Sequence, residues 1–291
     1  MDFDPSKFPT GLSEQLEPLV ARVLAGNPSP YTYTGTQTYL VGNQSDRAVI
    51  DPGPYIAEHI DAILAAVGEA SIKAIMCTHT HRDHSPAAAP LKERCGAPII
   101  GCAPLVIESD LPRSDEAFDA HYAPDQVLED GETLSGDGWT LQAVATPGHT
   151  SNHLCYAVEE SGAMFTGDHV MAWSTSVIVP PDGNMSDYMD SLQKIYDRDD
   201  KVYYPAHGKK VDKPRQLVRG MMGHRKQRER QIMNLLETEP MKIIDMVPRM
   251  YKGLDPRLTG AAGQSVRAHL LDLEDRAIVK LDGDVWSPLS S

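Results

Sequence analysis

The spacing of hydrophobic and polar residues changes several times along the chain. Apolar residues in 13–24 are spaced as in a helix, so this segment is predicted to be a short helix. Two β-rich runs follow, QTYLVG and RAVIDPG, and the polar residues 43–46 between them predict a hairpin. Residues 56–67 have helical spacing again, and the short apolar run IKAIMCT predicts a buried strand.

Strand-like runs dominate the middle of the chain. A helix at 87–95 and a strand in APIIGC precede residues 103–125, whose polar, proline-rich composition predicts a surface insertion. Four runs separated by Gly, Asp or Ser turns then predict strands: QVLEDGETL, WTLQAVATPGHT, HLCYAVEE and AMFTGDHV. A helix over 186–196, capped by Ser186, and a last strand, KVYYPAHG, complete a predicted layered α/β domain over 1–208.

The C-terminal part has a different pattern. Residues 209–214, KKVDKP, are charged and contain a proline, which predicts a linker. Helical spacing follows over 215–238, 242–251 and 261–275, and the chain closes with two short β runs around a turn at 282–284. Three helices and a terminal hairpin predict a small winged-helix-like domain over 215–291.

Charge is divided unequally between these two parts. From Lys209 onward there are 16 basic and 11 acidic residues, a net of +5, whereas the preceding part has 11 basic and 30 acidic residues, a net of −19. A polyanion such as RNA would therefore approach through the basic C-terminal module. The acidic, proline-broken N-terminus lacks the pattern of a secretory signal, and no run is apolar enough to span a bilayer. We expect a cytoplasmic protein that does not bind membranes, unless a leader has been removed.

Metal-ligand residues are concentrated at the end of the strand IKAIMCT. His79, His81, Asp83 and His84 fall within six positions. In an extended segment His79 and His81 point to the same side, because side chains alternate, so both can reach one metal ion. Asp83 and His84 lie where the chain turns and can reach a second ion. Imidazole and carboxylate groups are ligands that zinc accepts.

Three further residues end apolar strands next to glycines. They are His149 in PGHT, Asp168 in TGDH and His207 in PAHG. A single histidine after a strand is more often structural than a metal ligand. Together with the cluster at 79–84, however, these residues supply the number of ligands that two divalent ions need. We expect two metal ions, with zinc as the first choice and manganese and iron as alternatives.

The ordered motifs HTHRDH, PGHT, TGDH and PAHG resemble those of the metallo-β-lactamase superfamily. The resemblance covers about residues 39–208 and implies an αββα sandwich with a dinuclear site. It implies that His79, His81 and His149 bind one metal, that Asp83, His84 and His207 bind the other, and that Asp168 bridges both. Asp51, in VIDPG, matches an early aspartate that supports the ligands from behind.

The C-terminal part resembles a subgroup of β-lactamase-like proteins with a winged-helix-like domain, through an HRxxR motif at His224, Arg225 and Arg228 and a later AHL segment. The basic motif would form a solvated helix face, border the active-site cleft or bind phosphates. Weaker candidates for ligand support or substrate contact are His153, four residues after His149, and Ser174 and Ser176, just beyond Asp168.

The expected enzyme is a zinc-dependent hydrolase in which a metal-bridging hydroxide attacks an acyl centre and Asp83 accepts the proton. The substrate would be a small ester, thioester, lactone or β-lactam. The alternatives are a β-lactamase acting on antibiotics and an endoribonuclease acting on single-stranded RNA, an activity known in the resembled subgroup. A metal-stabilised binding protein is a non-catalytic alternative. The oligomeric state is open, with a homodimer as one alternative.

Overall fold

The computed structural model describes residues 9–106 and 117–289 of the 291-residue chain. The chain forms two compact units. The first contains the described residues up to Thr146, together with Asn152–Ser174 and Asp199–Pro214. The second contains Pro147–Ser151, Thr175–Arg198 and the residues from Arg215 onward. Part of the predicted surface insertion, 107–116, lies outside the described residues.

The first sheet of the first unit has five strands in chain order. They are β1 (Ser13–Glu17), β2 (Val20–Leu24), β3 (Gln37–Gly42), β4 (Asp46–Ile50) and β5 (Ser71–Met76). Neighbouring strands are antiparallel except for β4 and β5, which are parallel. The helix α1 (Ala57–Val67) connects these two strands, because a parallel pair needs a long crossover.

The N-terminal segment corrects a prediction made from spacing. Residues 13–24 form the antiparallel hairpin of β1 and β2 rather than a helix. Pro18 lies between the two strands, where it would break a helix but is accepted in a turn. The buried Val20 and Val23 are β-branched and suit a strand that pairs with β3.

A second five-stranded sheet follows the helix α2 (Ala88–Cys95) and the short pair β6 (Ile100–Gly101) and β7 (Gln126–Val127). Its strands are β8 (Thr133–Gly136), β9 (Trp139–Ala145), β10 (Leu154–Val158), β11 (Ala163–Gly167) and β12 (Val202–Pro205). They also lie in chain order, and only β11 and β12 are parallel.

Aromatic residues join the two sheets into one core. The ring of Tyr39 on β3 lies 4.8 Å from that of Phe165 on β11 and 5.7 Å from that of Tyr204 on β12. The Tyr156 hydroxyl donates to the Cys77 carbonyl oxygen at 2.6 Å. Every residue of β3, β10 and β11 is buried, which explains why these strands show no alternation of apolar and polar residues.

The second unit is mostly helical. It contains the helices α3 (Met185–Tyr196), α4 (Pro214–Leu236), α5 (Ile243–Met250) and α6 (Thr259–Asp275), and a hairpin of β13 (Val279–Asp282) and β14 (Val285–Pro288). The first residue of α4, Pro214, is assigned to the first unit. Its core includes Ile232, Met246, Val266, Leu270 and Trp286. The predicted helices and hairpin are therefore confirmed.

Two local expectations differ from the structure. The N-cap of α3 is Asn184, whose side chain accepts from the Asp187 amide at 3.1 Å, and Ser186 is already inside the helix. The segment 209–214 is not a free linker, because the amide and carbonyl of the buried Val211 pair with those of Tyr203 at 2.8 and 3.0 Å. The boundary between 208 and 215 stays a prediction. No helix among the described residues is long and apolar enough to cross a membrane.

Candidate metal centre

The ends of four strands of the first unit carry the predicted metal ligands and their support. Asp51 follows β4, the loop with His79 to His84 follows β5, Asp168 follows β11, and His207 follows β12. Both strand pairs, β4–β5 and β11–β12, are parallel, so each pair ends at one sheet edge. Side chains placed directly after parallel strands therefore converge on that edge.

Asp51 is the centre of the hydrogen bonds behind the site. Its carboxylate accepts from the Thr78 amide at 2.7 Å and from the Thr78 hydroxyl at 2.9 Å, and its Oδ2 lies 3.0 Å from His84 Nδ1. Asp51 is 2% exposed and has a φ of +50°, a conformation that Asp tolerates better than most residues. The predicted supporting role of Asp51 is consistent with these contacts.

These bonds fix which imidazole nitrogen carries the proton. A carboxylate only accepts, so His84 donates to Asp51 through Nδ1 and turns Nε2 toward the site. His207 Nδ1 lies 3.2 Å from the Gly35 carbonyl oxygen, which has the same consequence. The Thr78 hydroxyl uses its hydrogen toward Asp51, so it accepts from His79 Nδ1, 3.0 Å away.

The Nε2 atoms of His84 and His207 face carboxylate oxygens. His207 Nε2 lies 3.1 Å from Asp83 Oδ2 and 3.3 Å from Asp168 Oδ1. His84 Nε2 lies 3.4 Å from Asp83 Oδ2 and 3.7 Å from Asp168 Oδ1. Neither Nε2 atom makes a well-formed hydrogen bond within the described part of the chain. A nitrogen lone pair and a carboxylate oxygen at these distances repel each other unless a cation or a proton lies between them.

The charges in the cluster shift the pKa values strongly. Burial alone would lower the pKa of His84, but the carboxylates of Asp83, Asp51 and Asp168 outweigh it and hold this pKa well above its usual value. For His207 the same opposing effects, with Asp168 as the main carboxylate, also give a raised pKa. Burial would raise the pKa of Asp83, yet the neighbouring His84 and His207 hold it well below the usual range.

Two groups of side chains in the first unit could each hold a metal ion. The ligand atoms of Asp83, His84 and His207 all lie within 4.8 Å of one another, and so do those of His79, His81 and Asp168. Asp168 is 9% exposed and its Oδ1 is also within 3.7 Å of His84 and His207, so it contacts both groups. The donor set of imidazole nitrogens and carboxylate oxygens fits two divalent ions that share Asp168.

Gly167 explains how the Asp168 carboxylate comes so close to the histidine loop. Its φ is +48°, and a Cβ atom at this position would lie 2.6 Å from both Thr78 Oγ1 and His153 Nε2. Any larger residue would therefore push apart the loops after β5 and β11.

The predicted ligand His149 lies in the turn Pro147–Ser151, which belongs to the second unit. Its side chain is 8% exposed, and its Nδ1 lies 2.6 Å from the Val177 carbonyl oxygen. Its role as a metal ligand stays a prediction.

The weaker candidates have different environments. The His153 ring is buried, with its centroid 5.1 Å from that of His79 and its Nδ1 2.8 Å from Thr146 Oγ1. It packs behind a predicted ligand. Ser174 is half-buried and stays a candidate for substrate contact. Ser176 is 1% exposed, so its side chain does not line an open substrate mouth.

The HRxxR motif does not form a uniformly solvated basic face. Arg225 is 3% exposed, its Nη2 donates to the Ser176 carbonyl oxygen, and its guanidinium lies over the Tyr188 ring. Arg228 stacks on Tyr251 and donates to the Met250 carbonyl oxygen at 3.0 Å. His224 is half-buried, and burial together with Arg225 and Arg228 lowers its pKa. Phosphate binding by Arg225 is not supported, because the side chain is buried and occupied.

Sequence patterns did not identify several residues that support the site. Thr78 links Asp51 to His79, and its only signal is its place next to the histidine cluster. The Gly35 carbonyl holds His207 from a distant loop, and no sequence signal predicts a backbone contact of this kind. The Phe118 ring lies 4.7 Å from that of His81, although it comes from the predicted surface insertion.

Residues 31–207 match the model of the metallo-β-lactamase superfamily, and residues 243–286 match that of the β-lactamase-associated winged helix domain. A β-lactamase-like protein 2 homolog of Caenorhabditis elegans is 33% identical over 82% of this chain and 78% of its own length. The chain therefore belongs to the metallo-β-lactamase superfamily. The predicted αββα sandwich with a winged-helix domain is confirmed.

Other relatives are named as thioesterases. An atrochrysone carboxyl ACP thioesterase of Cryptosporiopsis sp. is 34% identical over 77% of this chain, and the match spans only 65% of that relative. One from Aspergillus fumigatus is 33% identical over 76% of this chain and 66% of its own length. Among solved structures, a β-lactamase domain protein from Burkholderia ambifaria has a TM-score of 0.81, covering 96% of this chain and 94% of its own at 17% identity, which supports the fold alone.

Proposed function

We propose that this chain is a dinuclear zinc hydrolase that cleaves acyl thioesters. His79, His81 and His149 would hold one ion, Asp83, His84 and His207 the other, and Asp168 would bind both. The observation that carries the proposal is the position of the Asp168 carboxylate, which contacts both ligand groups of the first unit. A protein with one structural metal would not need a carboxylate in this place.

Two bound divalent ions would lower the pKa of a water molecule and polarise the carbonyl of the substrate. The chain supplies orientation and a base. Hydrogen bonds at Nδ1 hold the rings of His79, His84 and His207 with Nε2 toward the site. Asp83 is ionised, because the nearby histidines keep its pKa low, and its side chain is 27% exposed. Its carboxylate can take the proton from the attacking water.

The overall reaction is a balanced hydrolysis. The oxygen of water forms a bond to the acyl carbon, the bond from that carbon to sulfur breaks, and the thiolate leaves. Asp83 passes on the proton that it accepted, so the products are a carboxylic acid and a thiol.

The choice of a thioester rests on the relatives named as thioesterases. The matches span about two thirds of the length of those relatives. For RNA cleavage, the burial of Arg225 removes one of the two expected phosphate contacts. No contact of the described residues favours a β-lactam.

The test is a parallel assay of the zinc-loaded, full-length protein on an acyl thioester, a lactone, nitrocefin and single-stranded RNA. We expect the highest kcat/KM on the thioester, measured by thiol release, and two zinc ions per chain by metal analysis. The variants His79→Ala and Asp168→Ala should lose activity. The exposed His121 gives a matched control, His121→Ala, which should keep it.

Two results would contradict the proposal. A metal content of one ion per chain or less after zinc loading would exclude the dinuclear site. Faster cleavage of RNA, falling steeply with salt, would favour the endoribonuclease alternative.

A further inference from the structure

The turn that carries His149 is anchored at several points within the second unit. The Ser191 hydroxyl on α3 donates to the Pro147 carbonyl oxygen at 2.8 Å. The Asn184 amide donates to the Gly148 carbonyl oxygen at 2.9 Å, and the Ser151 amide lies 3.2 Å from the Asp182 carboxylate. The turn is therefore held by the segment 176–184 and by the helix that follows it.

The contact between His149 and Val177 determines the tautomer of the imidazole. A backbone carbonyl oxygen only accepts, so Nδ1 of His149 carries the hydrogen in this 2.6 Å contact. Nε2 then keeps its lone pair, which is the form that binds a metal ion. Displacing the Val177 carbonyl would remove the hydrogen bond that selects this tautomer.

Arg225 on α4 contacts the segment 176–184 and the helix α3, which together hold this turn. Its Nη2 donates to the carbonyl oxygen of Ser176, the residue directly before Val177. Its guanidinium lies 5.1 Å from the centroid of the Tyr188 ring on α3. The backbone of Tyr188 packs against the His149 turn, since a Cβ on Gly148 would lie 2.4 Å from it.

We propose that Arg225 is a positioning residue for His149. By fixing the Ser176 carbonyl, it holds the following peptide unit, so that the Val177 carbonyl stays in place to accept from the imidazole. The planar guanidinium suits this task because it bonds a carbonyl and stacks on a ring at the same time. The inference rests on the proposed function, in which His149 binds a metal ion. It gives α4, a helix of the second unit, a part in metal binding.

Arg228 provides the matched comparison on the same helix. It also stacks on an aromatic ring, Tyr251, with 4.3 Å to the centroid, and it also donates to a backbone carbonyl. Its partners are Met250, at the end of α5, and Gln231. Loss of Arg228 should therefore disturb the contact with α5 and leave the His149 turn intact.

The experiment compares the full-length wild type with Arg225→Met, Arg225→Lys and Arg228→Met. Zinc affinity is measured by competition with a chromophoric chelator, and the His149 tautomer by ¹⁵N NMR of the metal-free protein. In the wild type we expect two zinc ions and a single Nδ1–H tautomer. Arg225→Met should weaken one zinc site by about 10- to 100-fold and give mixed tautomers. Arg225→Lys should be intermediate, and Arg228→Met should match the wild type.

The outcomes separate this inference from the proposed function. Fewer than two zinc ions in the wild type would overturn the proposed function. Two zinc ions in the wild type, together with unchanged affinity and tautomer in folded Arg225→Met, would overturn the role of Arg225 alone. If Arg225→Met does not fold by circular dichroism, Arg225→Lys decides in the same way, and wild-type values in that variant would overturn the inference.

Discussion

The pKa values of buried histidines shift in opposite directions in two regions of this protein. In the candidate metal centre of the first unit, His84 and His207 face the carboxylates of Asp83 and Asp168, and both pKa values are raised. In the second unit, His269 is 2% exposed and its imidazole makes no hydrogen bond with the described residues. Burial, and then the charges of Arg225, His224, Arg228 and Arg276, lower its pKa to about 3.

The difference shows that burial of a histidine alone says little about function. His59 makes the same point inside the first unit, because burial lowers its pKa to about 4 and its Nε2 contacts the Thr38 hydroxyl rather than a carboxylate. In the candidate metal centre, by contrast, the rings of His84 and His207 each have an acceptor behind them at Nδ1 and a carboxylate in front at Nε2. Such a ring is both oriented and surrounded by negative charge.

The largest expected effect comes from removing the shared carboxylate charge. Asp168→Asn keeps the size of the side chain but removes the charge that faces both ligand groups. We expect the loss of at least one zinc ion and a fall in kcat of about 10³-fold or more, in line with the several kcal/mol that a metal ion contributes. His269→Leu serves as the buried control from the other region. Retention of two zinc ions by Asp168→Asn would show that this carboxylate does not bind both ions.

A smaller effect is expected from the support behind the ligands. Asp51→Asn can keep the φ of +50°, which Asn tolerates, but its amide nitrogen cannot accept from Thr78 or His84. Zinc affinity should fall by about 10- to 100-fold, measured by chelator competition. The exposed Asp61 offers a control, Asp61→Asn, with unchanged affinity. Equal affinities in both variants would mean that Asp51 supports only the backbone.

The smallest effect concerns acid stability in the second unit. The pKa of His269 is lower in the folded chain than in the unfolded chain, so the unfolded chain binds the proton first as pH falls below about 6.5. Stability is therefore lost toward low pH, by about 1 kcal/mol between pH 7 and 5.5. His269→Leu should remove this part of the slope in urea unfolding of the metal-free protein. Parallel curves for variant and wild type would show that the proton can enter the folded state.

The candidate metal ligands of the first unit could be proposed from the sequence because they come shortly after apolar runs. The apolar runs that precede His79, Asp168 and His207 are enough to place these residues at strand ends. The hairpin of β1 and β2 was missed because two short strands joined at Pro18 have an apolar spacing close to that of a helix. The burial of Arg225 was missed because its partners, Ser176 and Tyr188, lie far away in the sequence. Spacing along one helix cannot show which face another segment covers.

The order of the strands has a consequence for how the chain folds. In both five-stranded sheets every hydrogen-bonded neighbour is also the next strand along the chain. The antiparallel pairings join strands that are near each other in the sequence, which favours their rapid formation. The parallel pair β11–β12 closes a longer connection, over 168–201. The loops after β5, β11 and β12 can meet only after both sheets have formed and packed. Metal binding should therefore be a late event in refolding, and free zinc should slow unfolding more than it speeds folding.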